Sequence, residues 1–209
     1  MKIWVRAELA LLQGCSEFCF MIVKAYHGTT EIVANGLVSG ALTWKPSQNE
    51  GDWLGFGSYF FEGGPYRAFH WARSNLGAGE PVKVVEAELD LSDCLDLLDI
   101  SDFQVLKTQA QIAAGAVSIP AQDPLEVSNG RARPPKGVPL KMRNRWDRFV
   151  VDFCVASLFD SRRITSVRSA FLWGHAVSNA SFLFNWSRVE IAVREPAAVI
   201  RSVRLWSGA

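Results

Sequence analysis

The 209-residue sequence predicts a mixed α+β fold. Helical and strand-like segments follow one another without the regular βα alternation of a doubly wound parallel sheet. The last segments, from Ile164 onward, alternate as strands with hairpin-like pairing. No internal repeat is present.

Taken in order, Ile22 to Tyr26 reads as a short strand of β-branched and aromatic residues that ends before Gly28. Thr29 or Thr30 can cap the next helix, with Glu31 in its first turn. One or two turns follow, closed by Gly36. Thr43 to Asp52 is a polar loop. Trp53 leads into Gly55-Phe-Gly-Ser-Tyr-Phe-Phe-Glu62, and Gly63-Gly64-Pro65 breaks the chain. Tyr66 to Leu76 is helical, with Ala68, Phe69, Ala72 and Leu76 at spacings of three and four. Val82 to Leu91 alternates as a strand with one wet face, and Cys94 to Leu98 extends it or begins a turn. Ser101 to Ala116 is a helix.

Ile119 to Pro139, rich in proline and with Asn129-Gly130 as a turn, reads as a long loop. It continues into a basic stretch, so that a basic, proline-rich loop is expected near 119–148. Trp146 to Phe159 is apolar at helical spacing, Ile164 to Leu172 is a strand, and Gly174 to Asn185 a loop. Trp186 to Arg194 is a strand, ended by Glu195-Pro196, and Ala198 to Leu205 is the last strand.

Length places residues 21–209 in one domain, and eight Trp with thirteen Phe supply a substantial core. Lys2 and Arg6 before an apolar run hint at a signal peptide, but Glu8, Gln13 and Glu17 interrupt it. Residues 1–20 are therefore expected to be an extension, with Met21 as a real or alternative start. No stretch of about twenty apolar residues occurs, so no membrane span or membrane partner is expected. Cys15, Cys19, Cys94 and Cys154 lack metal-site spacing, and with three His no metal site is expected. Reduced thiols in a cytoplasmic protein follow. The net charge of +1 selects neither nucleic acid nor membrane.

Charge is concentrated locally. Arg131, Arg133, Lys136, Lys141, Arg143, Arg145 and Arg148 face one acid, Asp147. A solvated face is the commoner meaning of such a cluster, and a phosphate-rich partner such as RNA or DNA is the functional one. Gly55 to Glu62 carries two readings as well. Glycine inside an aromatic strand marks a bulge or a close backbone approach to something else, here a flat ligand. Glu190, between Val189 and Ile191, faces away from those two, either to solvent or into a groove. His27 lies at the end of the first strand, before Gly28.

These pieces together resemble a family. Tyr26-His27-Gly28-Thr29, followed by Ile32, Gly36 and Leu37, resembles the first motif of ADP-ribosyltransferases of the diphtheria-toxin and poly(ADP-ribose) polymerase type. Gly55-x-Gly57-x-Tyr59-Phe60, with Ala68 further on, resembles the second. Val189-Glu190-Ile191-Ala192-Val193 resembles the third, a strand carrying the catalytic glutamate. The resemblance covers residues 25–200.

It implies an ADP-ribosyltransferase fold: a split, mostly antiparallel β-sandwich around an NAD cleft, with flanking helices. It implies NAD as the substrate and no metal. His27 would bond the adenosine ribose, and Gly28 and Thr29 would lie beside the ligand, the Gly28 backbone holding the carboxamide. Tyr59, between Gly57 and Phe60, would stack on the nicotinamide. Glu190 would bond the nicotinamide ribose and stabilise the positive charge that forms as nicotinamide leaves.

Two positions depart from the pattern. Arg67 stands before Ala68 where relatives carry Ser, which puts a pyrophosphate contact in its place. His70, with Trp71 adjacent, stands where a second stacking tyrosine is usual. Glu195 ranks below Glu190 as the carboxylate, and Glu62 is a rim residue. The implied activity is mono-ADP-ribosyl transfer to a protein or nucleic acid, and by analogy small chains of this kind include toxins and phage-defence effectors. Alternatives are an NAD glycohydrolase, an RNA 2′-phosphotransferase-like enzyme, or an inactive NAD- or nucleic-acid-binding module.

Overall fold

A computed structural model describes residues 21–47, 49, 52–77, 79–116, 127–128, 131–132, 140–171 and 187–208, with the backbone alone for 127–128, 131–132 and 140–144. The expectations for residues 1–20, for Gly174 to Asn185, for the Asn129-Gly130 turn and for Arg133 and Lys136 lie outside these. The chain is α+β: a curled seven-stranded sheet with five helices among the described residues. None of these helices is long and apolar enough to cross a membrane.

Strand β1 spans Ile22–Thr30, longer than expected, and runs on through Gly28 rather than ending before it. All nine residues pair with β3 (Val82–Asp90), from Ile22↔Asp90 to Thr30↔Val82. A full-length partner offsets the weak strand propensity of Gly28. Thr30 caps α1 (Glu31–Ser39), its side chain accepting from Val33 N. The helix ends at Gly40, with φ 75°, not at Gly36. Gly36 stays helical because Leu42 folds back on it: Leu42 N donates to the Gly36 carbonyl at 2.9 Å.

Gly55 takes φ 79° in the turn before β2 (Ser58–Glu62). Helix α2 (Pro65–Asn75) follows with Pro at its first turn. The wet face expected of β3 is largely covered: α2 packs over it, Val84 is buried, and Glu86 is buried against Arg204 and Lys24. The short β4 (Cys94–Asp96) leads to α3 (Ile100–Ala116).

Within the expected long loop, β5 (Val127–Ser128) and β6 (Arg131–Ala132) pair antiparallel. Helix α4 spans Leu140–Leu158, so Lys141, Arg143, Arg145 and Arg148 are helical rather than in a loop. Its first turns carry few apolar residues, and apolar periodicity alone does not reveal them. Strands β7 (Ser166–Phe171) and β8 (Arg188–Val193) follow. A turn of helix, α5 (Pro196–Val199), unforeseen in sequence, precedes β9 (Ile200–Leu205), with Pro at its start.

The strand order is β4-β7-β8-β2-β1-β3-β9, antiparallel except for β4 with β7. On one face Phe60, Ile191, Val193, Ala25 and Leu89 form a core. On the other, α4 and α3 pack over Ala192 and Val167, and α2 packs over Tyr26, Phe61 and Val84. One junction in this sheet is weak. β1 and β2 pair only at Ala25↔Glu62 and Tyr26↔Phe61, and beyond those residues they part.

Candidate functional site

A cavity of about 260 Å³ lies where β1 and β2 part. His27, Gly28 and Thr29 line it from β1, and Ser58 to Phe61 from β2. Arg188 and Glu190 reach it from β8, Lys45, Asp52 and Trp53 from the loop before β2, and Trp71 from α2. The three residues singled out in sequence as His27, Tyr59 and Glu190 are thus brought to one place.

His27 Nδ1 donates to the Tyr59 carbonyl at 2.8 Å, across the gap where ladder pairing has stopped. A carbonyl only accepts, so the proton sits on Nδ1 and Nε2 is the acceptor nitrogen of the neutral ring. Burial pushes the His27 pKa down, and the bond to Tyr59 pulls it back up. The ring is wedged against Trp44 (5.4 Å, 78°) and Phe60 (5.6 Å).

The Tyr59 hydroxyl accepts from Leu54 N at 2.9 Å and donates to the Gly55 carbonyl at 2.8 Å. It ties β2 to the glycine turn. Burial, then the nearby Asp52, pushes its pKa up, so the phenol stays protonated. Phe60 is fully buried and packs with His27 and Trp44.

Glu190 is 7 % exposed and forms an ion pair with Arg188 Nε, two residues earlier on the same face of β8. Burial pushes the carboxyl pKa up, and Arg188 pulls it back. The Arg188 guanidinium lies over Phe61 and Phe171, at 5.9 and 6.0 Å from the ring centres. The strand alternation puts Arg188 on the face of Glu190, but Arg188 is not among the site residues expected from sequence.

Asp52 was also missed. It is 9 % exposed, and its Oδ2 is buried with no hydrogen-bond partner among the described residues. Burial pushes its pKa up, against smaller opposing effects led by a hydrogen bond from Ser47. Nothing in the local pattern marks it, since it reads as the end of a polar loop.

Other expected positions serve packing. A Cβ on Gly28 would lie 1.9 Å from the Ala68 carbonyl, so this glycine lets α2 approach β1. Ala68 is fully buried in that contact and does not line the cavity. A Cβ on Gly57 would sit 3.1 Å from Ala192 and from the Val193 carbonyl, so the close approach there is to β8. Arg67 and His70 line a second cavity of about 410 Å³, which shares Phe61, Trp71 and Arg188 with the first. Trp71, rather than His70, is the α2 ring on the first cavity.

Glu195 pairs with Arg163 at 2.5 Å, and Glu62 with Arg168, and neither lines the cavity. Of the basic cluster, Arg148 donates to the Asn49 carbonyl at 3.0 Å and lies 3.7 Å from Asp152, bracing α4 against the loop before β2. Arg131 belongs to β6, and Lys141, Arg143 and Arg145 to the first turns of α4. Among the described residues no group of three His, Cys, Asp or Glu could hold a metal. Compared with family models, curated proteins and solved structures, the chain matches none.

Proposed function

We propose that the chain is an NAD-dependent ADP-ribosyltransferase that transfers one ADP-ribose to a macromolecular acceptor. The observation that carries this reading is the convergence of His27, Tyr59 and Glu190, far apart in sequence, on one cavity at the parting of β1 and β2. The ADP-ribosyltransferase fold is split at its NAD cleft, and this junction is where such a split belongs. An inactive module would leave Glu190 in solvent, and its burial in the cavity favours the enzyme.

In this reading nicotinamide lies between Tyr59 and Trp71, with the rest of NAD running toward the second cavity, where Arg67 meets the pyrophosphate. The bond from the nicotinamide nitrogen to ribose C1′ breaks, and its electron pair leaves with nicotinamide. The Glu190 carboxylate opposes the charge left on the ribose. Arg188 holds that carboxylate in place and opposes the upward pull of burial on its pKa. Neutral His27 accepts a hydrogen bond from an adenosine-ribose hydroxyl through Nε2.

Glu190→Gln keeps the size and removes the charge. Nicotinamide release from NAD is expected to fall by about 100-fold or more, with Tm near that of the parent. Unchanged release would sink the assignment.

One observation favours a second reading. Arg188 in the cavity, with Arg67 next door, matches the dependence of RNA 2′-phosphotransferases on arginines. Incubating the protein with NAD and a 2′-phosphorylated RNA separates the two: loss of the 2′-phosphate favours the second, and label retained on protein or unphosphorylated nucleic acid the first.

A further inference from the structure

Two carboxylates line the cavity, and their surroundings differ. Glu190 is committed to Arg188 on its own strand. Asp52, from the loop before β2, has one oxygen, Oδ2, with no partner among the described residues. A buried carboxylate oxygen without a partner is costly, and a catalytic role is one of the few explanations for keeping it. The two acids lie within electrostatic range of each other and of Tyr59. Paired carboxylates in unlike surroundings divide their work in glycosyl chemistry: one stabilises the sugar cation and the other takes a proton from the attacking group.

We propose, resting on the ADP-ribosyl-transfer reading, that Asp52 is the general base for the acceptor, and that the acceptor is a neutral O–H or N–H group rather than a carboxylate that is already ionised. The acceptor lone pair forms the bond to ribose C1′ as the bond to nicotinamide breaks. The acceptor proton passes to the Asp52 carboxylate and then to water. The balance is NAD plus acceptor giving ADP-ribosyl acceptor, nicotinamide and one proton, with no change of oxidation state. His27 is a poorer candidate, because its acceptor nitrogen Nε2 takes a ribose hydroxyl in the same reading and the ring is wedged between Trp44 and Phe60.

The base works when ionised, so the rate rises with pH through the Asp52 pKa, which burial holds above the usual carboxylate range. Several charged groups border that loop. Lys45 stands on the same loop, Arg148 and Asp152 on α4, Arg188 and Glu190 on β8, and His27 on β1. Protonation of Glu190 or His27 affects every acceptor alike. A difference between acceptors therefore isolates Asp52.

Nicotinamide release is measured with three acceptors: water, methanol, and azide, an anion that needs no deprotonation. Asp52→Asn is expected to slow the water and methanol reactions about 100-fold, to recover most of the parental rate with azide, and to bind NAD as tightly as the parent. Glu190→Gln is not rescued by azide. In the unaltered protein the methanol reaction falls more steeply on acidification than the azide reaction, over the range where azide stays ionised. That comparison stands even where Asp52→Asn folds poorly.

Equal loss with all three acceptors, an unchanged methanol rate, a Kd for NAD that weakens in step with the rate, or parallel pH profiles for methanol and azide would each overturn the role of Asp52. Absence of nicotinamide release from the unaltered protein with every acceptor would instead overturn the transferase reading, and this role with it.

Discussion

His27 shows how one side chain couples fold and site. Its Nδ1–H satisfies a backbone carbonyl that the β1–β2 ladder no longer reaches, while Nε2 remains an acceptor. Burial keeps the ring neutral in the folded chain, so its folded pKa lies below the unfolded value of about 6.5. The sign follows. Above that value both states are neutral and no penalty exists, and as pH falls through it the unfolded chain takes up the proton first and stability is lost. The drop in Tm between about pH 7.5 and 5.5 is expected to be larger for the parent than for His27→Gln. Equal drops in thermal melts at the two pH values would refute this.

At the scale of elements, the contact of α2 with β1 sets one wall of the cavity. Gly28 has no room for a side chain beneath the Ala68 carbonyl, at 1.9 Å from a modest Cβ. Gly28→Ala must push α2 outward, at a cost of about 1–3 kcal/mol, which lowers Tm by about 5 °C. Trp71 rides on the same helix, so nicotinamide release is expected to fall as well. A Tm within about a degree of the parent would show that α2 yields without strain. The residues of this wall were legible as His-Gly-Thr and Ala68, because a strand and a helical period are local patterns. Their division of labour was not. Gly28 and Ala68 read as ligand contacts; the structure makes both the contact between a helix and a strand, and Gly28 lines the cavity as well.

At the scale of the molecule, a buried charge network ties the sheet together across the site. Arg168 on β7 grips Glu62 on β2 (2.7 and 2.9 Å) and Asp96 on β4 (2.8 Å), skipping over β8. Its pKa is pushed up, foremost by the bond to Glu62. Arg168→Gln leaves two partly buried carboxylates uncompensated and is expected to cost about 3 kcal/mol. Urea unfolding with an unchanged m-value and a lowered midpoint is the measurement, and an unmoved midpoint would discount the network. None of the three residues lines the cavity, so nicotinamide release by the folded variant is expected to persist.

The sequence by itself determined the α+β class, the capped helix after Thr30, and the order of His27, Tyr59 and Glu190, since each rests on neighbours within a few positions. It was silent on what sits between them. Whether Glu190 faced solvent or a groove depended on what covers β8, and the sheet order with α2 and the loop before β2 decided it. Asp52 and Arg188 entered the site for the same reason. Burial, an unpartnered oxygen and a same-face ion pair arise only when distant segments close on one another, and a linear pattern carries none of that distance. The parting of β1 from β2 is likewise a property of pairing, which the strands acquire only in the assembled sheet.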